Sequence, residues 1–269
     1  MNAETVAALL ELNRRFYGRY AAEFSASRQR PWPGWDRLVD RLAAGRPPPS
    51  RAAGPLAVLD VGCGNGRFAS YLAGRWPGPF SYLGLDSCPA LLEVAAERLG
   101  DLPGDGRLRQ LDLTARGELD RTLGSRRFDL IALFGVLHHL PGSDTRRSLL
   151  LRLARHLAPS GLLAASIWQR HRRSDFAAKV LPWSRYNRRR SRERSPPDRL
   201  PGGAIAVDQL ERGDTLLTWA GDATTPRYCH FPGGAEIAGW CEELDCDLAD
   251  RFEADGSDAR ENLYLVFTE

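Results

Sequence analysis

Gly62, Gly64 and Gly66 stand at alternate positions directly after the apolar run Leu56-Ala-Val-Leu-Asp-Val61. Glycines so placed let a chain turn sharply and let a ligand come close to the backbone. Asp60 precedes the turn and Cys63 lies inside it. Two further acids, Asp86 and Asp112, end later strand-like runs. Ligands of parallel sheets bind at such strand ends. A dinucleotide fingerprint would place its third glycine at position 67, where Arg67 stands, so NAD and FAD are disfavoured. The lysine-bearing phosphate loop is absent too.

The elements that must hold these residues alternate in type. Strands are expected over 56–61, 80–86, 107–112, 128–134 and 161–168, with helices over 66–74, 89–99, 115–123 and 144–157 between them. That order argues an α/β fold with a doubly wound, mostly parallel sheet and helices on both faces. Further β-like runs cover 203–208 and 214–219, and a helix covers 234–244. The last two strands, near 248–254 and 262–268, have no helix between them, so they form an antiparallel terminal hairpin of a seven-stranded sheet. Ahead of the core, Val6, Leu9, Leu10, Phe16, Tyr17 and Tyr20 mark an amphipathic helix over 4–24, interrupted by Asn13. Two prolines keep 25–34 out of a helix interior; a short helix over 35–44 and a stiff connector at Pro47, Pro48 and Pro49 follow.

One domain accounts for the chain. Residues 1–50 form a helical cap with a substrate-side Arg/Trp loop, and 51–169 the cofactor-binding core. Residues 170–202 are a basic insertion with the composition of a flexible loop, and 203–269 a substrate-side β segment and the end of the sheet. The 269 residues are 43% hydrophobic, which excludes general disorder, collagen and coiled coil. No apolar run approaches about 18 residues, so no membrane span is expected. Glu4 and Glu11 make the N-terminus unlike a secretory signal. Five irregularly spaced cysteines read as reduced thiols of a cytoplasmic protein, with neither disulfides nor a metal site. The net charge of +3 hides an asymmetry. Residues 170–200 hold eleven basic against three acidic residues, and 203–269 four against fifteen. A basic block of that kind suits a polyanionic partner.

The glycine loop resembles motif I of the class I S-adenosylmethionine-dependent methyltransferases, which have a Rossmann-like fold. The resemblance covers 55–168 in order. It implies S-adenosyl-L-methionine as cofactor. Asp86 and Ser87 would then serve the ribose diol, Asp112 and Leu113 the adenine, and Asp60, Gly62, Cys63, Gly64 and Gly66 the methionine side. Phe134 and Gly135 would line the pocket at the end of the fourth strand.

Three flanking pieces are similar to one branch, the tRNA wobble-uridine carboxymethyl methyltransferases. They are Phe24-Ser-Ala-Ser-Arg-Gln-Arg-Pro-Trp-Pro33, Val136-Leu-His-His-Leu140, and Gly213–Trp219 with Arg227-Tyr-Cys-His-Phe231. Thr218, Cys229 and Gly234-Ala-Glu depart from the branch's pattern on the substrate side. The resemblance implies methyl transfer to the carboxylate of a carboxymethyluridine, giving a methyl ester, with tRNA as partner. Some members also work with a small zinc-binding activator protein that extends the sheet.

A carboxylate is already ionised at neutral pH, so it needs no strong base. Arg28, Arg30 and Arg227 are the candidates to hold it by paired hydrogen bonds. His138 and His230 are candidate hydrogen-bond donors. His139, Trp32, Trp168 and Trp219 are candidates to meet the rest of the acceptor, Trp32 and Trp168 by offering a face to the uracil ring. A small carboxylic acid or amine as acceptor, or a binding protein that keeps the fold, are the competing readings.

Overall fold

The computed structural model describes residues 1–45, 54–100, 105–192 and 205–269. The proline connector and the C-terminal part of the basic block lie outside the described residues.

Seven strands order as β3-β2-β1-β4-β5-β10-β9. They are β1 (Leu56–Val61), β2 (Phe80–Asp86), β3 (Asp105–Gln110), β4 (Phe128–Phe134), β5 (Leu157–Trp168), β9 (Asp247–Ala254) and β10 (Asn262–Thr268). The first five run parallel, and β10 enters antiparallel between β5 and β9. Side chains alternate between the two faces, so each face needs its own cover. Leu59, Val61, Ile131, Leu133 and Leu265 pack under α5 (Glu118–Leu123), α6 (Ser143–Ala154) and α8 (Gly234–Glu243). Val58, Leu130, Ala132, Ala164 and Val266 pack under α2 (Gly34–Ala44) and α3 (Arg67–Arg75). Helix α4 (Pro89–Gly100) follows β2. The expected doubly wound sheet with its terminal hairpin is therefore present.

Some bounds differ from the sequence reading. Asp112 lies beyond β3, although Leu111 N–H still bonds Asp86 O at 2.9 Å. Helix α5 starts only after Gly117, which has φ +71°. Helix α6 stops at Ala154, and β5 begins at Leu157 rather than 161, with an irregular register against Phe128–Leu130.

The long helix α1 (Ala3–Ala26) starts on an Asn2 cap that accepts from Thr5 N–H. Its polar interruption has a purpose. Asn13 Nδ2 donates to His139 O at 3.1 Å, and its Oδ1 accepts from Tyr228 N–H at 2.8 Å. The helix is thereby clamped to the turn after β4 and to a second sheet.

That second sheet is antiparallel: β6 (Val180–Leu181), β7 (Asp214–Trp219) and β8 (Asp222–His230). Strand β8 was not expected. It pairs with β7 across a tight turn, where Ala220 and Gly221 both take positive φ. The β-like run expected over 203–208 is not a strand in its described part; Val207–Gln209 is a 3-10 turn. Asn187 explains this: its amide bonds both Ile205 N–H and Ile205 O, leaving no ladder partner. Residues 170–192 are likewise not a featureless insertion. They form two 3-10 turns, β6 and α7 (Trp183–Arg192), and Arg170 and Arg172 pair with Glu261 and Glu253. No helix among the described residues is long and apolar enough to cross a membrane.

Candidate active site

A cavity of about 650 Å³ opens at the C-terminal ends of β1, β2 and β4, with α1 along one side. Two chemically different walls meet in it.

The first wall is the glycine turn and the acids. Gly62 has φ +73°, and a Cβ there would lie 2.3 Å from Val136 Cγ2, so only glycine fits. Gly64, at φ +54°, has nothing within 4 Å of a built Cβ, which leaves its face open. Gly66 sits behind the wall, against Ala95 of α4. Asp86 caps the turn: its carboxylate accepts from Gly64 N–H at 2.8 Å and Cys88 N–H at 2.9 Å. Burial raises the Asp86 pKa while these N–H groups oppose the rise. Asp60, 3% exposed, accepts from Tyr82 O–H at 2.6 Å, and burial pushes it up to about 7. Asp112 is held by Thr114 at 2.8 and 2.6 Å. Cys63, Ser87, Leu113, Phe134 and Gly135 complete this wall. An open backbone face beside three carboxylates fits a nucleoside cofactor with a cationic tail.

The second wall is cationic and aromatic. Behind the lining Trp168, Arg227 is 5% exposed, and its Nε and Nη1 have no hydrogen-bond partner among the described residues. Its Cζ lies 4.7 Å from the Trp168 ring, 5.2 Å from Phe16 and 5.7 Å from Trp219. Arg28 lies 3.9 Å over Phe24, and burial together with Arg227 lowers it to about 10. It is still charged at neutral pH. Among the described residues no carboxylate pairs with either guanidinium. His139 Nδ1 sits 3.1 Å from Tyr228 O and its Nε2 2.7 Å from Tyr17 O–H. A carbonyl only accepts, so Nδ1 carries the proton and Tyr17 donates to Nε2. Burial and Arg227 lower His139 to about 3, and burial raises Tyr17 to about 12, so both are neutral. His138 does not line the cavity; it is 1% exposed, stacked behind Trp168 at 4.0 Å and held neutral by burial, and neither ring nitrogen has a partner among the described residues.

Of the other residues singled out in the sequence, Trp32 and Trp168 line the cavity. Trp219 backs it, packing on Phe16 and Phe24. Arg30 is exposed and off the wall; only its carbonyl is used, accepting from Arg67 Nη1 at 2.7 Å. His230 is away from the cavity. It is 1% exposed, between Asp214 at 2.7 Å and Glu236 at 2.9 Å, and Glu236 also binds the fully buried Arg146. Tyr17, Asn65 and Arg67 line the cavity and were not anticipated. Tyr17 hides in the apolar stripe of α1. Arg67 lies 4.9 Å from Trp32 and 5.0 Å from Trp35, and only the unusual residue after the last glycine hinted at it.

Residues 59–163, from β1 into β5, match a family described as a methyltransferase domain. The trans-aconitate 2-methyltransferase of Methylobacterium nodulans is 37% identical over 115 residues. That match covers 43% of this chain and 39% of the relative's length. The tRNA (carboxymethyluridine(34)-5-O)-methyltransferase of Schizosaccharomyces pombe is 24% identical over 182 residues, covering 64% of this chain and 68% of that one. A solved amino pentose methyltransferase from Micromonospora echinaspora, with S-adenosylmethionine bound, superimposes with TM-score 0.56 at 20% identity over 93% of this chain and 97% of that one. Residues 59–163 thus match a methyltransferase domain, and the chain shares the fold of a solved S-adenosylmethionine-dependent methyltransferase.

Proposed function

We propose that the protein methylates a carboxylate oxygen to a methyl ester, and that this carboxylate belongs to a carboxymethyl-type wobble uridine of tRNA. The observation that carries the reading is Arg227: a buried guanidinium with two unpartnered N–H groups, beside a second cation at Arg28 and no acid. A buried charge left unpaired is costly, so such a pair awaits an anion. Both relatives named above act on carboxylic acids according to their names, trans-aconitate and carboxymethyluridine.

When bound, the cofactor supplies a methyl group on a sulfonium. Asp60, Asp86, Asp112 and the open face of Gly64 would hold it. The rest is alignment. An ionised carboxylate attacks without a base, which agrees with neutral His138, His139 and Tyr17 around it. Arg28 and Arg227 hold the acceptor so that one oxygen faces the methyl carbon. A clamp on both oxygens would stabilise the ground state and slow the reaction. Trp168 and Trp32 give flat faces for a pyrimidine ring.

The tRNA acceptor is supported by the reach of the S. pombe match, 182 residues against 115 for the trans-aconitate enzyme. A small polycarboxylic acid is the second reading, favoured by the higher identity of that shorter match. The test is transfer of labelled methyl from the cofactor to bulk tRNA, with and without a small zinc-binding activator protein, followed by mild alkali. Label on a uridine that alkali releases is expected. Alkali-stable label overturns the ester chemistry. Label on trans-aconitate and none on tRNA selects the second reading.

A further inference from the structure

Helix α7 has two unlike faces. Inward, Tyr186 is 4% exposed and packs with Leu181, Ile205, Leu216 and Tyr228, Trp183 Nε1 donates to Asp214 O at 3.3 Å, and Asn187 holds Ile205. Outward, Arg185, Arg188 and Arg189 are exposed at i, i+3 and i+4, a spacing that places them side by side on one helix face. No acidic residue lies within α7.

Three exposed arginines elsewhere are paired with acids: Arg37 with Asp250, Arg147 with Glu243, Arg172 with Glu253. Arg185 and Arg188 pair with no acid among the described residues. No large apolar side chain is exposed on α7, so the face has nothing to insert into a bilayer. Its chemistry is that of a row of fixed cations.

The position suits a large acceptor. Helix α1 gives Ala8, Leu9 and Leu12 to the cluster beneath α7, and Leu10, Asn13 and Tyr17 to the cavity. Acidic residues Asp247, Asp250 and Glu253 belong to β9, the outermost strand of the large sheet, whereas α7 packs on the small one. We infer that the outer face of α7 docks the phosphate backbone of the RNA acceptor. The inference rests on the tRNA reading above and adds where the RNA is held.

The test uses the full chain, bulk tRNA and the double variant R185E/R188E, with R185Q/R188Q as the milder partner. Affinity for tRNA is measured at stepped salt, and turnover at saturating tRNA. Expected is a tRNA KM at least about tenfold higher with kcat retained, cofactor affinity unchanged, and a salt slope shallower by roughly 1.4–1.8, since each of two lost phosphate contacts contributes about 0.7–0.9. The glutamine pair shows the same effect more weakly and decides the matter if the glutamate pair fails to fold. Unchanged tRNA affinity and slope overturn the docking surface while tRNA methylation stands. Unchanged tRNA binding with lost binding to phosphatidylserine vesicles assigns the face to a membrane and overturns it as well. No transfer to tRNA by the unaltered chain overturns both readings together.

Discussion

Asn65 Nδ2 donates to Ser25 Oγ at 3.0 Å, so the cofactor turn holds the segment that carries Arg28. The same amide reaches the Arg28 carbonyl at 3.3 Å, and Asn65 is 5% exposed between Gly64 and Gly66. The glycine turn and the segment carrying Arg28 are thus joined by one side chain. A hydrogen bond of this kind contributes about 1 kcal/mol, and about 1.4 kcal/mol corresponds to a tenfold change. Asn65→Ala is expected to raise the acceptor KM roughly fivefold and to change cofactor affinity less than about twofold. Asn65→Asp is expected to be worse than alanine, because a carboxylate would face the carbonyl oxygens. Steady-state kinetics with isothermal titration of the cofactor checks both, and alanine equal to aspartate would leave Asn65 a mere spacer.

Arg227 gives a prediction with opposite signs in two measurements. Its guanidinium is buried with donors unused, which costs folding stability. Arg227→Met keeps the stem and removes the charge. Melting temperature is expected to rise, while kcat/KM for the carboxylate acceptor falls by about two to three orders of magnitude, in line with loss of a charge-assisted pair. A variant that loses stability and activity together would mean that Arg227 is structural.

Asp60 sets a pH dependence. Burial raises its carboxyl to about 7 from an ordinary 3.8. The folded chain therefore binds a proton more readily than the unfolded one, and stability from this group is present at low pH and lost as pH rises from about 4 through 7. Cofactor affinity runs the other way, since only the ionised form attracts an ammonium group. Affinity is expected to strengthen as pH rises through 7, by up to about tenfold per pH unit below it. Asp60→Asn is expected to weaken binding, flatten that pH profile, and stabilise the cofactor-free protein most above pH 7. A profile unchanged in the variant would take Asp60 out of the cofactor site.

The cofactor wall was readable because its parts are local. A strand, a glycine turn and a helix follow one another within 20 residues, and Asp86 ends its own strand. The cationic and aromatic wall is assembled from distant pieces. Asn13 meets Tyr228 across 215 residues, and Tyr17 meets His139 across 122. Periodicity alone makes Tyr17 a core residue. Arg227 and His230 lie three apart on β8, so strand alternation turns them to opposite faces, one against the cavity-lining Trp168 and the other between Asp214 and Glu236. No strand was expected over 222–230, so that alternation was not applied to the pair.

His230 tests that separation. Burial would lower its pKa, but hydrogen bonds to Asp214 and Glu236 outweigh it, and the imidazolium is favoured. A histidine raised on folding stabilises fully below its unfolded pKa near 6.5, and that stability is lost as pH climbs through the higher folded value. It also ties β7 and β8 to α8. His230→Gln is expected to lower the melting temperature more at pH 6 than at pH 9. The kcat/KM of the folded variant, assayed below its melting range, should stay within about twofold of the parent, because the side chain does not reach the cavity. A loss of kcat/KM beyond about tenfold at full folding would return His230 to the acceptor site, and would require β8 to move from the position it occupies here.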